Sequence, residues 1–316
     1  MKTPAFWFQP PGTMAALLRP ATCLWRWGGK LRIGQPVSLS VPLIVVGNVV
    51  AGGAGKTPVT LALAKLLQTQ GKRVHLIARG HGGKVKGPLR VDLDKHNALD
   101  VGDEPLLLAQ TAPTFIGTDR GATAQLAATD CDVIISDDGL QSPRLKPDLA
   151  LLVMDGVMGI GNGKIIPAGP LREPLAQALA KVAAVVQVGG SARDYTGKPV
   201  WLGDFVAQNN DWLRGARVLA FAGLGQPEKF FATLTTSGAH RTAALPFADH
   251  HPYTENEIRR LIAQADASEA ILVTTAKDAV RLPWNLREQV RVVAGEFIWR
   301  DVTPVQAALQ RLWTQP

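Results

Sequence analysis

Residues 41–57 read Val-Pro-Leu-Ile-Val-Val-Gly-Asn-Val-Val-Ala-Gly-Gly-Ala-Gly-Lys-Thr, and they limit the possible folds more than any other stretch. The β-branched run Leu43 to Val46 predicts a buried strand. Gly47, Gly52, Gly53 and Gly55 predict a tight loop, and Lys56-Thr57 opens a helical pattern with Leu61, Leu63, Ala64, Leu66 and Leu67 on its spacing. Strand, glycine loop and helix in that order make a phosphate cradle. Glycines let successive backbone N–H groups point inward, and the helix N-terminus adds its positive dipole end. Lys56 would reach the β- and γ-phosphates and the Thr57 hydroxyl a magnesium ion. The strict pattern G-x-x-x-x-G-K-[ST] wants glycine at position 50, where this chain has Val50. Gly52, Gly53, Ala54, Gly55, Lys56 and Thr57 therefore read as a variant of the G-G-x-G-K-T form.

The second strong signal is Cys131-Asp132-Val133-Ile134-Ile135-Ser136-Asp137-Asp138-Gly139. A buried strand ending in acid, downstream of a P-loop, is a Walker B arrangement whose carboxylate meets the nucleotide-bound Mg²⁺. Doubling it as Asp137-Asp138 gives one group for the metal and a second for a nucleophile. The expected fold class is α/β: a P-loop NTPase-type, mostly parallel sheet flanked by helices, with a second, smaller α/β domain. With 316 residues and 46% hydrophobic content, one large core or two modest ones can be buried. Cys23 and Cys131 lie too far apart for a metal or redox spacing and read as reduced thiols.

Net charge is +8, and no Asp or Glu precedes Asp92. A face this basic suits nucleotide phosphates or an anionic membrane surface, or is simply solvated. No zinc finger or RNP motif supports nucleic acid as a partner. Residues 1–32 interleave Phe6, Trp7, Phe8, Met14, Leu17, Leu18, Leu24, Trp25 and Trp27 with Arg19, Arg26, Lys30 and Arg32. Aromatics beside cations suit the headgroup region of a membrane, although a helix docked on its own domain is the alternative. Pro4, Pro10, Pro11 and Gly12 spoil a spanning helix, and no cleavage site marks a signal peptide.

The chain order divides into an interfacial segment suited to membrane docking at 1–32, a P-loop nucleotide-binding domain at 33–190, a connecting β-like linker at 191–217 and a smaller α/β domain at 218–316. Arg79-Gly80-His81-Gly82-Gly83 follows a second strand, as a site loop or a plain connection. Asp103-Glu104 precedes Pro105 at a helix start, which suits capping as well as catalysis. Arg172-Glu173 reads as a phosphate clamp beside a metal-side acid, or as an exposed pair worth little. His250, flanked by Asp249 and His251, is either structural or a base near neutral pH. Lys277-Asp278 ends a strand where a ligand contact is open.

Taken together, Gly47-Asn48 through Gly52–Pro58, Arg79–Gly83, Val101-Gly102-Asp103-Glu104-Pro105, Asp137-Asp138-Gly139-Leu140-Gln141, Leu171-Arg172-Glu173-Pro174 and Phe247-Ala248-Asp249-His250 resemble the tetraacyldisaccharide 4′-kinase (lipid A 4′-kinase) family of Gram-negative bacteria. The resemblance runs over essentially the whole chain. One departure is His81, where the family more often has Tyr. The resemblance implies transfer of the ATP γ-phosphoryl group to the 4′-hydroxyl of an acylated glucosamine disaccharide 1-phosphate, by a peripheral or monotopic protein at the cytoplasmic face of the inner membrane. By the same resemblance, Lys56 and Thr57 hold the triphosphate and Mg²⁺. Asp138 and Glu173 look like metal-side acids with Asp137 close by. Asp103 looks like the general base with His250 as its partner, and Arg172 like a phosphate clamp. The rival reading is a membrane-associated P-loop switch ATPase, which would favour a lysine early in the loop; Val50 and Ala51 stand there. A soluble small-molecule P-loop ligase or kinase is weaker, because it leaves the N-terminal aromatics unused.

Overall fold

A computed structural model describes residues 4–23, 25, 34–208 and 210–314. Its strands are β1 (Leu43–Gly47), β2 (Val74–Ala78), β3 (Leu89–Arg90), β4 (Thr114–Ile116), β5 (Val133–Asp137), β6 (Leu149–Asp155), β7 (Ala184–Val188), β8 (Val200–Ala207), β9 (Arg217–Ala222), β10 (His240–Pro246), β11 (Ile271–Thr275), β12 (Arg291–Val293) and β13 (Gly295–Trp299). They form a nine-stranded sheet, β13-β8-β7-β6-β1-β5-β2-β4-β3, and a four-stranded sheet, β10-β9-β11-β12. In the large sheet β1 lies parallel between β5 and β6. Only its edge pairs, β3 with β4 and β13 with β8, are antiparallel. The small sheet is parallel throughout.

Helices cover both faces of the central strands, so β1 and β5 are buried at every position. That is why they read as unbroken apolar runs rather than alternating ones. One face packs Ile44, Val46 and Ile135 against Leu63 and Leu67 of the helix Lys56–Thr69, and the other packs Leu43, Val45 and Ile134 against Leu152 and Ala124. In an open parallel sheet, ligands bind beyond the carboxyl ends of the strands. Here those ends release the glycine loop after β1, Asp138 after β5 and the Arg79–Gly83 loop after β2.

Three strands carry no clear local signal in the sequence. Residues 191–217, expected as a connecting segment, contain β8, which pairs in parallel with β7 and buries Trp201. β10 lies at an edge and is mostly exposed, so its sequence, His-Arg-Thr-Ala-Ala-Leu-Pro, lacks the apolar run that marks a strand. β13 follows β12 after Ala294 alone and reads as one run with it, yet the chain there passes from the small sheet to the large one. The final helix, Thr303–Thr314, follows it back and buries Val305 and Leu309 in the core beside Leu63.

Among the described N-terminal residues, a 3-10 turn spans Ala5–Phe8 and a helix Thr13–Leu18. Lys2, Leu24, Arg26, Trp27, Lys30 and Arg32 lie outside the described residues. The Trp7 indole donates to the Pro167 carbonyl at 3.0 Å and the Trp25 indole to the Arg172 carbonyl at 3.1 Å. The segment is therefore tied to the body while Met14 and Leu17 face outward. Among the described residues no helix is long and apolar enough to cross a membrane.

Candidate active site

The glycine loop is braced from inside by Asn48. This fully buried side chain donates to the Val50 carbonyl at 2.6 Å and accepts from Lys56 Nζ at 3.2 Å. Gly55 sits at φ 85°, a left-handed conformation that costs glycine little, and hands the chain to the helix that starts at Lys56. The departure at Val50 has a structural reason. Val50 forms an antiparallel bridge with Leu171, Ala51 N–H donates to the Pro170 carbonyl and Arg172 N–H to the Val49 carbonyl. A buried side chain is needed there, and the bridge sets Arg172 and Glu173 beside the loop. Gln141 ties the same corner, donating to the Asn48 carbonyl at 2.8 Å and to Glu173 Oε1 at 3.3 Å.

Asp137 ends β5 with both carboxylate oxygens on hydroxyls, Thr57 at 2.9 Å and Thr60 at 3.1 Å. Burial, reinforced by the charge of Glu104, pushes this carboxyl up to about 6 against the pull of Lys56. A buried carboxylate whose hydrogen-bond partners are neutral is suited to a divalent cation. Magnesium takes one or two carboxylates, a hydroxyl and phosphate oxygens rather than an all-protein cage. That fits Thr57 and Asp137, and among the described residues no cluster of three His, Cys, Asp or Glu would hold a metal unaided.

Asp138 is held differently. Its backbone is left-handed at φ 52°. Arg172 Nη1 reaches both of its oxygens at 3.1 and 3.2 Å, and Lys56 Nζ stands at 3.7 Å. Burial raises its carboxyl, but Lys56 and Arg172 outweigh this and hold it below the usual range. Glu173 is paired with Lys181 at 2.5 Å. Arg172 and Glu173 are thus not partners of each other, and each faces the site through a different neighbour.

Asp103 is the first residue of the helix Asp103–Ala109, and only 4% of its side chain is exposed. Its Oδ1 accepts the Glu104 N–H at 2.9 Å, while Oδ2 meets His250 Nδ1 at 2.8 Å. Asp103 is therefore the first helical residue and not the cap, which is Gly102 and carries no side-chain bond. Burial raises the Asp103 carboxyl, but the His250 hydrogen bond, with Lys277 and Arg281, brings it net below the ordinary value. The Asp103 hydrogen bond raises the His250 imidazole despite burial and Lys277. His250 stands on the loop after β10 at φ 60°. Strain of this kind, at Asp138 and His250 alike, persists where surrounding contacts over-determine the backbone. The His81 ring meets the His250 ring edge-on at a centroid distance of 6.3 Å, which brings the Arg79–Gly83 loop to this pair.

The structure thus brings Lys56, Thr57, Asp137, Asp138, Arg172 and Glu173 together at one mouth, and Asp103 with His250 across the two sheets. Lys277 adds contacts to His250 Nε2 at 3.4 Å and Glu104 at 3.7 Å. Sequence reasoning did not assign site roles to Asn48, Gln141 or Arg281. The first two carry a local signal, a polar amide directly after a strand and just past Asp137-Asp138. Arg281 carries none.

The family model described as tetraacyldisaccharide-1-P 4′-kinase matches residues 13–313. A tetraacyldisaccharide 4′-kinase of Rhodospirillum centenum is 50% identical over 95% of this chain and 94% of its own length. One from Gluconobacter oxydans is 45% identical over 99% and 98%. The crystal structure of LpxK from Aquifex aeolicus in complex with ATP superposes with a TM-score of 0.79 at 27% identity, covering 95% of this chain and all of that one.

Proposed function

The chain belongs to the tetraacyldisaccharide-1-P 4′-kinase family, and from that premise we propose which of its residues carry the transfer and where it takes place. The protein is an ATP-dependent, Mg²⁺-using kinase of lipid A biosynthesis that phosphorylates the 4′-hydroxyl of tetraacyldisaccharide 1-phosphate. The observation that carries the site reading is the Asp103–His250 contact of 2.8 Å, made between a helix start on the large sheet and a loop of the small one.

The loop from Gly52 to Gly55 and Lys56 cradle the triphosphate of ATP. Thr57, Asp137, Asp138 and Glu173 form the metal side, with Asp137 as the direct carboxylate ligand. When bound, magnesium neutralises charge on the β- and γ-oxygens. Arg172, freed from Asp138, clamps the transferring phosphoryl group. The sugar 4′-oxygen attacks the γ-phosphorus as its proton passes to Asp103; the new O–P bond forms, the β–γ bridging bond breaks and ADP leaves. His250 holds the Asp103 carboxylate in the acceptor orientation. A base split between two sheets, acting as separately moving domains, is complete only when they close, which limits loss of ATP to water. The protein works as a peripheral protein at the cytoplasmic face of the inner membrane, where Met14, Leu17 and Trp25 meet an anionic surface.

Transfer of label from γ-labelled ATP to the disaccharide lipid phosphate tests this directly. Turnover is expected to be slow without the lipid and fast with it, and equal ATPase rates in both conditions would overturn the proposed coupling.

A further inference from the structure

Arg281 is one of the charges that lower the Asp103 carboxyl; its side chain is 4% exposed, and among the described residues it is the most heavily engaged cation of the small sheet. Its Nη2 donates to the Gly223 carbonyl at 3.0 Å and to Asp278 at 2.5 Å; Nη1 donates to the His251 carbonyl at 3.2 Å, and Nε to the Lys277 carbonyl at 3.3 Å. Gly223 follows β9, His251 follows β10 and Lys277 follows β11. One guanidinium therefore ties the loops after β9 and β10 to the helical turn Ala276–Ala279 that follows β11 and leads into Arg281 itself. Asp278, fully buried, anchors it and also accepts from Gly223 N–H, the Tyr253 hydroxyl and Thr275. His250 lies in the middle of this arrangement, its strained backbone N–H directed at the Gly223 carbonyl at 3.3 Å. Beyond the loops, Arg281 Nε stands 3.6 Å from Asp103 Oδ2, too long for a hydrogen bond but a close charge contact.

We propose that Arg281 is a positioning residue for the base: it staples the loops after β9 and β10 to the turn after β11 so that His250 is presented to Asp103. The proposal rests on the reading of Asp103 and His250 as the base and its partner. A guanidinium suits the task because its planar fork offers five donors in fixed directions, whereas an ammonium has a single donor atom. A shift of His250 by about 1 Å is enough to cost on the order of 10²-fold in rate.

The test is a cycle in the full chain, with label transfer to the lipid disaccharide phosphate in detergent micelles as the assay. Arg281→Met is measured alone and in the His250→Ala background. Alone, it is expected to lower kcat by roughly 10- to 100-fold with KM for ATP nearly unchanged. With His250 already removed, the same substitution is expected to cost less than about 3-fold, because residues acting through one another are not additive. Equal losses in both backgrounds, or a loss confined to KM, would overturn the proposal. If Arg281→Met does not fold, Arg281→Lys keeps a cation against Asp278 without the fork and carries the same cycle with the same expected outcomes. Full kcat in Asp103→Ala and His250→Ala would instead remove the base reading itself. Loss of kcat in those two with none in the Arg281 variants removes only this inference.

Discussion

Asp103 shows how single residues acquire their chemistry here. Burial alone would raise its carboxyl and make it a better proton acceptor, but His250, Lys277 and Arg281 outweigh burial. The group is ionised over the working range and depends on geometry rather than basicity. Asp103→Ala is expected to lower kcat by roughly 10²–10⁴-fold, the range for a general base, with KM for the lipid little changed; an effect on KM alone would remove the role. The pair also has a pH signature. Asp103 has a lowered folded value, so its share of stability is lost as pH falls through that value. His250 has a raised one, so its share is complete below about 6.5, its ordinary value, and lost as pH rises through the folded value. The melting-temperature gap between wild type and His250→Asn is therefore expected to be wider at pH 5.5 than at pH 9. A gap that does not change with pH means that His250 takes up no additional proton through the contact on folding. Local pattern offers His250 and Asp103 only as separate candidates; the family resemblance implies the pair, and the fold makes the contact across 147 positions.

At the scale of elements, legibility follows burial. β1 and β5 declared themselves because both faces are covered, while β8 and β10 did not because their burial is partial. β13 was hidden by continuity with β12. Loops depend on contacts that no local pattern encodes. Val50 departs from the strict phosphate-loop pattern, yet the bridge to Leu171 explains it and delivers Arg172. The turn before Asp103 is comparable. Gly102 has φ 87°, and a Cβ there would lie 2.5 Å from the His81 carbonyl oxygen, so the Arg79–Gly83 loop and the base-bearing helix meet through this glycine. Gly102→Ala is expected to cost about 1–3 kcal/mol of stability and to lower kcat by displacing Asp103. Gly82→Ala is the control: its φ of 84° is as strained, but nothing lies within 4 Å of the added methyl. It should lower the melting temperature with kcat near wild type. Equal kcat losses in both would mean that strain, not the His81 contact, governs the site.

For the whole molecule, the composition shows a charge asymmetry, with no acid before Asp92. The N-terminal segment is tied to the loop that leads to Arg172 and Glu173, yet Met14 is 54% and Leu17 75% exposed. Under the proposed docking, these two side chains are placed to meet the bilayer that holds the acceptor's acyl chains. Burying a Leu or Met side chain stabilises by about 1.5–3 kcal/mol, so under that proposal each would contribute about tenfold or more to membrane affinity. Met14→Glu with Leu17→Glu removes both contributions and adds repulsion from anionic lipid. Because the two positions are exposed, the fold and ATP binding should survive. Sedimentation with anionic vesicles is expected to fall by at least about 100-fold in affinity while nucleotide affinity in solution stays at the wild-type value. Residual binding should weaken further with salt as the basic face is screened. If the double variant sediments as wild type does, the membrane meets another face and the N-terminal segment serves only to brace the turn at Arg172.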